Sequence, residues 1–457
     1  MTRTAASVRA VALAVALSAL GLSACQNFSM PHPFHRTHAS SASPGQRISL
    51  LELNEQLRVS DTLKGQDFYL PPPQPLSAWP LPGGDLEQSV EHVEAAPNFQ
   101  IAWRRGFGRA SNRHVHVTAP PIMAEGKVFV MDAMAEVSAH DAGTGAQVWR
   151  VNLEPKSRRD HEAFGGGLAY ADGKVYVSSG FRLVAAINAA DGHVDWVSRT
   201  DAPVHAAPTV ADGRVFVVDV DDELLTFNAA SGAPDWTYQA LTEPARIVAA
   251  SSPAVSGDTL VASFASGELV ALRASNGTQL WEQSLSHTTT SRALSEIRDI
   301  AGRPAIYKGD VFAVSHAEMM AATDLRTGAQ RWSLPISGIT TPWPAGDVVF
   351  VVDQTGAVIC ALRQTGGIYW ITNLNTVPPK AKGKKASRIA RVVWSSPILA
   401  SGRLITVSSA GEAVALDPKT GAVQRRLKLG DDALIGPIAA NGTIYVATQK
   451  ADLIAIR

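Results

Sequence analysis

Few side chains in this sequence are spaced so that they could do chemistry. His114 and His116 flank Val115, so an extended chain would present both imidazoles on one face, where they could bind a metal ion. A third ligand is not evident, and surface histidines are common, so we predict no metal site. The sequence contains no G-x-S-x-G, C-x-x-C, H-E-x-x-H or Walker motif. These observations favour a protein that is not an enzyme.

Three other stretches are more typical of loops than of binding sites. Gly106–Ser111 (GFGRAS) nearly matches a dinucleotide-binding fingerprint, but the third glycine is missing. Gly165–Gly167 follow Asp160–Glu162, and we predict that these glycines permit two backbones to approach closely. Basic residues cluster at Lys380, Lys382, Lys384, Lys385, Arg388 and Arg391. That cluster predicts a solvated loop, the alternative being a surface for an anionic partner.

Cys25 carries the strongest chemical prediction. A short basic stretch and an apolar run, AVALAVALSALGL, precede LSAC at Leu22–Cys25. This arrangement resembles the signal peptide and lipobox of bacterial lipoproteins. The resemblance implies a signal peptide over residues 1–24, lipidation of Cys25 and, because Gln26 follows, transport to the outer membrane. The alternative is an ordinary signal peptide with a coincidental cysteine.

The composition indicates an extracytoplasmic β domain rather than a nucleic-acid-binding or membrane-spanning protein. Lys and Arg together number 41, and so do Asp and Glu, which gives no net field to attract nucleic acid. After the N-terminal run, no apolar stretch is long enough to span a bilayer. With Cys25 lipidated, Cys360 is the only other cysteine, so the mature chain cannot form an internal disulfide.

A short phrase that recurs about every 45 residues organises the chain. ALRASNGTQLW at Ala271–Trp281 is one copy, and ATDLRTGAQRW at Ala322–Trp332 is another. In the last copy Arg425 replaces the tryptophan. The period is typical of β-propeller blades. A glycine marks each copy, at Gly145, Gly192, Gly232, Gly277, Gly328, Gly366 and Gly421.

Each copy predicts two strands joined by a tight turn, with the glycine at positive φ and the tryptophan buried against the neighbouring repeat. Seven copies give seven blades. After the last glycine only three strands remain, near Ile438, at Thr443–Thr448 and at Asp452–Arg457. We predict that Phe99–Arg105 supplies the fourth, because pairing the two ends removes open sheet edges. The expected fold is all-β: an eight-bladed propeller of four-stranded antiparallel blades over residues 99–457, its last blade closed by the N-terminal strand.

Residues 25–98 separate the lipidation site from this domain. The first part, to about Pro44, is rich in Ser, His and Pro and predicts a flexible tether. Leu70–Gly84 (LPPPQPLSAWPLPGG) is instead expected to be extended and semi-rigid. We predict that this stretch docks on the propeller and that Trp79 is held there; a disordered leader is the alternative.

The A-x-D-x-x-T-G-x-x-x-W phrase at Ala322–Trp332 resembles the repeat of pyrroloquinoline-quinone proteins, which two families share. One family is the quinoprotein dehydrogenases, and the other is the BamB family, lipoproteins of the outer-membrane β-barrel assembly machinery. The lipobox, the RISLL stretch from Arg47 and the Leu70–Gly84 leader resemble the second family. That resemblance implies a non-catalytic scaffold, lipid-anchored on the periplasmic face of the outer membrane. The implied partners are the POTRA domains of the barrel-inserting subunit, with unfolded outer-membrane proteins as a second candidate.

The dehydrogenase alternative conflicts with the residues present. Those enzymes typically hold a quinone beneath a disulfide between adjacent cysteines and coordinate calcium with Glu, Asn and Asp. This sequence has no adjacent cysteines, and no blade shows those ligands, so we expect no cofactor. A quinoprotein-like dehydrogenase or a periplasmic ligand-binding propeller is kept as the alternative function.

The resemblance also implies a partner site on two connectors between blades. Connectors from an outermost strand to the next innermost strand all emerge on one face of a propeller, so Glu243–Pro253 and Leu294–Pro304 are expected to be adjacent. Both mix aliphatic with charged residues, as a modest protein interface requires. The expected contact residues are Arg246, Ile247, Val248, Glu296, Ile297 and Asp299. The family pattern is matched in part, since Ala301 replaces an acidic residue. The alternative is a pair of ordinary loops joined by a weak Arg246–Asp299 ion pair.

Overall fold

The computed structural model describes residues 57–153, 165–242, 251–285, 299–300, 302–375 and 392–457. Cys25 and the Lys-rich stretch 380–391 lie outside the described residues. Within the described ranges the chain forms eight four-stranded sheets whose neighbouring strands pair antiparallel. The prediction of an all-β, eight-bladed propeller is confirmed.

The strands are numbered in chain order, beginning with β1 (Ile101–Gly106). Blades 1 and 2 are formed by β2 (Ile122–Ala124), β3 (Lys127–Met131), β4 (Glu136–Asp141), β5 (Gln147–Asn152), β6 (Gly166–Ala171), β7 (Lys174–Ser179), β8 (Leu183–Asn188) and β9 (Val194–Arg199). Blades 3 and 4 are formed by β10 (Thr209–Ala211), β11 (Arg214–Val218), β12 (Glu223–Asn228), β13 (Pro234–Gln239), β14 (Ala254–Ser256), β15 (Thr259–Ser263), β16 (Glu268–Arg273) and β17 (Gln279–Ser284). Blades 5 and 6 are formed by β18 (Ala305–Tyr307), β19 (Asp310–Ser315), β20 (Met319–Asp324), β21 (Gln330–Leu334), β22 (Trp343–Ala345), β23 (Val348–Val352), β24 (Ala357–Leu362) and β25 (Ile368–Asn373). Blades 7 and 8 are formed by β26 (Ile398–Ala400), β27 (Arg403–Val407), β28 (Glu412–Leu416), β29 (Val423–Lys428), β30 (Ile438–Ala440), β31 (Thr443–Ala447) and β32 (Asp452–Ile456), together with β1.

Position within a blade explains the residue pattern of each strand. Second strands are covered by neighbouring blades on both sides, and all five residues of β23 (VVFVV) are buried. Fourth strands lie at the rim of the ring, and in β17 (QLWEQS) little besides the tryptophan is buried. The continuous apolar runs and the more polar outer strands therefore both follow from stacking sheets around an axis.

The recurring phrase forms the turn between the third and fourth strands. In blade 1, Asp141 Oδ1 accepts hydrogen bonds from the Thr144 amide at 2.8 Å and from the Thr144 hydroxyl at 2.7 Å. These bonds hold the pKa of Asp141 below its ordinary value. The seven phrase glycines have φ between +71° and +81°, as predicted. Such backbone conformations are unfavourable for residues with a Cβ, which is why glycine recurs.

Each tryptophan of the phrase joins one blade to the next. A Cβ added to Gly277 would lie 2.6 Å from Trp236 Cε3, so the glycine also makes room for the ring from the preceding blade. Five of the indole Nε1–H groups donate to a carbonyl of the following blade, in the pairs Trp149–Ala189, Trp196–Ala229, Trp281–Leu325, Trp332–Arg363 and Trp370–Pro418. The predicted packing of tryptophan on the neighbouring repeat is confirmed.

Blade 8 closes the ring and explains the exception at Arg425. β1 pairs with β32, with Trp103 opposite Ala455, so the prediction that the N-terminal strand completes this blade is confirmed. Because β32 and β1 are far apart in sequence, no turn joins the third and fourth strands of this blade. A tryptophan at position 425 would have no such turn to rest on. Arg425 instead donates from Nη1 to the Asn98 carbonyl at 2.9 Å.

The described part of the extension, residues 57–98, is docked on the propeller. Trp79 is 1% exposed, forms a bridge with Met123 and stacks on Trp343 with ring centroids 6.2 Å apart. The prediction that Trp79 is held against the propeller is confirmed. Along its path the extension bonds the backbone at hairpins between first and second strands, for example Ala96 N–H to the Gly442 carbonyl at 2.9 Å. We call this end of the propeller the turn face.

His92 fastens the extension to blade 7. Its Nδ1 donates to the Pro71 carbonyl at 2.7 Å, and its Nε2 accepts from the Gly402 amide at 2.8 Å. These two bonds define the neutral Nδ1–H tautomer. Burial lowers the pKa of His92 below its ordinary value by disfavouring the charged imidazolium, and the hydrogen bond to the Pro71 carbonyl opposes this effect.

Candidate partner-binding face

The end of the propeller opposite the turn face carries the connectors from each fourth strand to the next blade, and we call it the connector face. The contact residues predicted from the sequence are expected on this face. Arg246, Ile247, Val248, Glu296 and Ile297 lie outside the described residues. Asp299 is described and is 2% exposed, and its backbone carbonyl accepts a hydrogen bond of 2.8 Å from the His316 amide. Asp299 therefore lies enclosed at the root of its connector, and its contact with a partner stays a prediction.

The connector face also presents exposed apolar side chains that we did not predict. Leu241 follows β13 and is 68% exposed, and the other three residues are between 42% and 45% exposed. These four form what we call the apolar set: Leu241, Ile339, Val393 and Leu434. The signal in the sequence is an aliphatic residue between a fourth strand and the next first strand, but we predicted contacts in only two connectors. Exposed apolar groups of this kind supply the apolar part of a protein interface.

Hydrogen bonds hold these connectors in place. The Val393 amide donates to Ser409 Oγ at 2.9 Å, and the Val393 carbonyl accepts from the Ser409 amide at 2.9 Å. The Leu241 amide donates to the Glu268 carboxylate at 3.0 Å. Because the backbone is already fixed, a partner that binds here does not have to order it.

Asp219 gives this face a titratable group near neutral pH. It is 5% exposed, in the turn between β11 and β12, and its Oδ1 accepts from the amides of Asp221 and Glu223 at 2.8 and 3.0 Å. Burial raises the pKa of Asp219 to about 6, and the neighbouring Asp221 and Glu223 carboxylates add to the rise. The charge of the connector face therefore changes between pH 5 and pH 7.

The glycine-rich stretches noted in the sequence have structural roles. Gly166 has φ +93°, and an added Cβ would lie 2.8 Å from Ser179 Cα. A Cβ on Gly167 would lie 3.0 Å from Ala207 Cα, so close backbone approach is confirmed here. Asp160–Glu162 lie outside the described residues. In the GFGRAS stretch, a Cβ on Gly108 would lie 2.5 Å from Asp132 Cβ.

Groups that could hold a metal or a cofactor are sparse in the described part of the chain. No three His, Cys, Asp or Glu side chains there are arranged to bind a metal ion. His114 lies in a bend rather than a strand, and its Nε2 accepts from Arg113 Nε at 2.6 Å. Cys360 is fully buried, and burial raises the pKa of its thiol well above the ordinary value, which disfavours a reactive thiolate. Among the same residues, no helix has the length and hydropathy that crossing a membrane requires.

Comparison with known proteins identifies the family. The family model for outer membrane protein assembly factor BamB matches residues 133–372 and 379–457. The outer membrane protein assembly factor BamB of Xanthomonas campestris pv. campestris is 30% identical over 380 residues, which cover 81% of this chain and 89% of that protein.

Two solved structures share the fold. BamB from Moraxella catarrhalis superposes with a TM-score of 0.65 at 17% identity, covering 78% of this chain and 99% of that chain. The quinohemoprotein alcohol dehydrogenase from Comamonas testosteroni gives a TM-score of 0.62 at 12% identity, covering 83% and 80%. At these low sequence identities, the two superpositions support only a shared fold. The family model, which covers well over half of the sequence, and the relative at 30% identity decide the assignment: this chain belongs to the outer membrane protein assembly factor BamB family, whose members are assembly factors rather than enzymes.

Proposed function

We propose that this protein is a lipid-anchored component of the outer-membrane β-barrel assembly machinery that binds the POTRA domains of the barrel-inserting subunit through its connector face. The observation that carries the proposal is the apolar set, presented on hydrogen-bonded connectors at the end of the propeller opposite the docked extension. Membership of the BamB family indicates a role in outer-membrane protein assembly, and the connector face offers a surface on which a protein partner could bind.

The path of the extension is compatible with an anchor at Cys25. The described chain begins at Leu57, which packs with Val59 against the core between blades 5 and 6. The Ser60 amide then donates to the Ile368 carbonyl at 2.9 Å, and the chain continues across the turn face. Roughly 30 residues separate Cys25 from Leu57, a reach of up to about 100 Å when extended. An anchor of this kind would hold the propeller at the periplasmic side of the membrane.

The proposed contact residues are those predicted from the sequence, with the exception of the buried Asp299, supplemented by the apolar set. Arg246 with Ile247 and Val248, and Glu296 with Ile297, would place aliphatic anchors beside charges that select the partner. Asp299 is 2% exposed, so we assign it the role of fixing its connector. Unfolded outer-membrane proteins are a second class of partner for the same apolar surface.

A charge placed in the interface tests the proposal. The double variant Ile247→Asp with Ile297→Asp should reduce co-purification of the barrel-inserting subunit from detergent-solubilised membranes at least tenfold. Each introduced carboxylate would lose its hydration in the complex without gaining a partner. The matched control is Val148→Asp, the same kind of change at a residue that is 50% exposed on β5, near the turn face. Asp299 is left unchanged, because a substitution at a buried residue would confuse folding with binding.

The melting temperature of each variant is measured beside the binding. Binding at parental strength by the double variant would exclude this part of the connector face and make the Lys-rich stretch 380–391 the next candidate. Equal loss of binding in Val148→Asp would also contradict the proposal, since that residue lies away from the connector face.

A further inference from the structure

The propeller axis contains a small cavity whose walls come from distant parts of the chain. Its volume is about 30 Å³. Trp79 and Gln88 of the extension line it on the side of the turn face. Arg303, Thr341 and Ser396, which precede the first strands of blades 5, 6 and 7, line it as well.

Arg303 brings a positive charge to this cavity, and no carboxylate among the described residues offsets it. Its Nε is buried and makes no hydrogen bond with any described residue. Burial lowers the pKa of Arg303 to about 10, and no carboxylate of the described chain counters that effect. The guanidinium is still protonated at neutral pH. The residue as a whole is half-buried, and a buried donor such as this Nε–H is costly when it has no hydrogen-bond partner.

Two hydroxyl-bearing residues that line the cavity add donors to those of Arg303. Thr341 Oγ1 accepts from the Arg303 amide at 3.2 Å, and Ser396 Oγ accepts from the Thr341 amide at 2.8 Å. A hydroxyl that accepts a bond still has its own proton to donate. The described structure gives neither of these two protons another acceptor. The indole N–H groups of Trp79 and Trp343, in contrast, are already bonded to carbonyls.

The anionic group must fit the donors that line the cavity, whose volume is about 30 Å³. A carboxylate has two coplanar oxygens, which match the planar fork of a guanidinium. Gln88 Oε1 is also buried there without a hydrogen-bond partner, so a water beside the carboxylate, or a hydroxyl of the ligand, would donate to it.

We propose that the axial cavity is a binding site for one carboxylate group, held by the guanidinium of Arg303 and the hydroxyls of Thr341 and Ser396. The carboxylate belongs to a small free acid or to the C-terminus of a polypeptide. It enters from the connector face, because the extension covers the turn face. This site does not depend on the proposed partner interface, since none of its lining residues belongs to the expected contacts or to the apolar set.

The test uses ¹³C-formate as the probe and follows its binding to the full-length protein by NMR line broadening. Arg303→Met should weaken formate binding at least tenfold, because it removes the charge and the donors while keeping the approximate length. Without formate its melting temperature should equal or exceed that of the parent, since the variant no longer buries an N–H group that has no acceptor among the described residues. The matched control is Arg214→Met, which removes an arginine already paired with Asp235 at 2.8 Å, and its formate binding should be unchanged.

Competition distinguishes the two sources of the carboxylate. Triglycine that displaces formate, while triglycine amide does not, would assign the site to a polypeptide C-terminus; formate binding with no competition would assign it to a small acid. Arg303→Lys keeps the charge but not the planar fork, and intermediate binding is expected if Arg303→Met fails to fold. No formate binding by the parent up to 100 mM, or equal binding by the parent and Arg303→Met, would overturn the proposal.

Discussion

Two tryptophans that occupy equivalent positions in the ring should respond differently to the same substitution. Trp149 is 7% exposed and its Nε1–H donates to the Ala189 carbonyl at 3.0 Å. Trp103 is 9% exposed, but its Nε1–H is buried without a partner among the described residues. The cause is that the carbonyl at the equivalent position, Ala142, already accepts from the Tyr445 hydroxyl at 3.0 Å and from Arg457 Nη2 at 3.3 Å.

The variants are Trp149→Phe and Trp103→Phe. Both lose the same ring volume from a packed interface between blades, so the cost of the smaller ring largely cancels in the comparison. Trp149→Phe also loses a hydrogen bond and leaves the Ala189 carbonyl without that donor, a cost of about 1–3 kcal/mol. Trp103→Phe removes an N–H group that makes no hydrogen bond with the described residues of the folded protein. We therefore expect Trp149→Phe to lower the free energy of unfolding by about 1–3 kcal/mol more than Trp103→Phe.

Equilibrium unfolding in urea, followed by far-UV circular dichroism, measures the difference. The m-values of the parent and both variants should agree, so that midpoints report stability rather than a change in the unfolded state. A Trp103→Phe variant as destabilised as Trp149→Phe, or more so, would refute the reasoning. It would show that ring contacts alone, and not the indole hydrogen bonds, distinguish one blade interface from another.

Four further predictions follow from the same structure. Burial lowers the pKa of His92 and of His140 in the folded protein, so the folded state binds fewer protons than the unfolded chain. The stability that these residues contribute is fully present above about pH 6.5 and is lost as the pH falls through the folded pKa values. The free energy of unfolding falls by at most about 1.4 kcal/mol per pH unit for each histidine. Unfolding midpoints between pH 5 and pH 7.5 should show a shallower slope for His92→Gln than for the parent. The pKa of Asp219 is raised to about 6, so its ionised form opposes folding above that pH. Asp219→Asn keeps an acceptor oxygen and should raise the free energy of unfolding by up to about 3 kcal/mol at pH 8 and by little at pH 4. An unchanged free energy of unfolding at pH 8 would contradict the assignment. Cys25→Ser should give a soluble periplasmic protein or an unprocessed precursor, whereas a processed variant that still sediments with the outer membrane at high salt would exclude the lipid anchor. Incubation with pyrroloquinoline quinone and calcium should produce no dye-linked alcohol or sugar oxidation, and turnover would favour the quinoprotein alternative.

The sequence by itself determined the architecture of the propeller, because its information is local and repeated. A glycine that must adopt positive φ recurs in all seven copies, and a tryptophan follows it by four residues in six of them. Counting those turns predicted seven complete blades, and the three unmatched strands at the C-terminus required Phe99–Arg105 to complete an eighth. Trp79, in a proline-rich stretch with one large aromatic side chain, was correctly expected to be held against the ring.

Only the tertiary structure decided which groups meet between blades. From the sequence alone, Arg425 is only a departure from the tryptophan of the repeat. The structure gives the reason, because blade 8 has no turn between its third and fourth strands against which a tryptophan could pack. Gln88 and Arg303 are far apart in sequence, and nothing in their local residue patterns indicates that both line one axial cavity. The apolar set was missed for the same reason: exposure depends on which neighbouring turns cover a connector, and those turns belong to other segments of the chain. Turn conformation is determined by residues within one repeat, whereas burial, pairing and the loss of a hydrogen-bond partner depend on the whole ring.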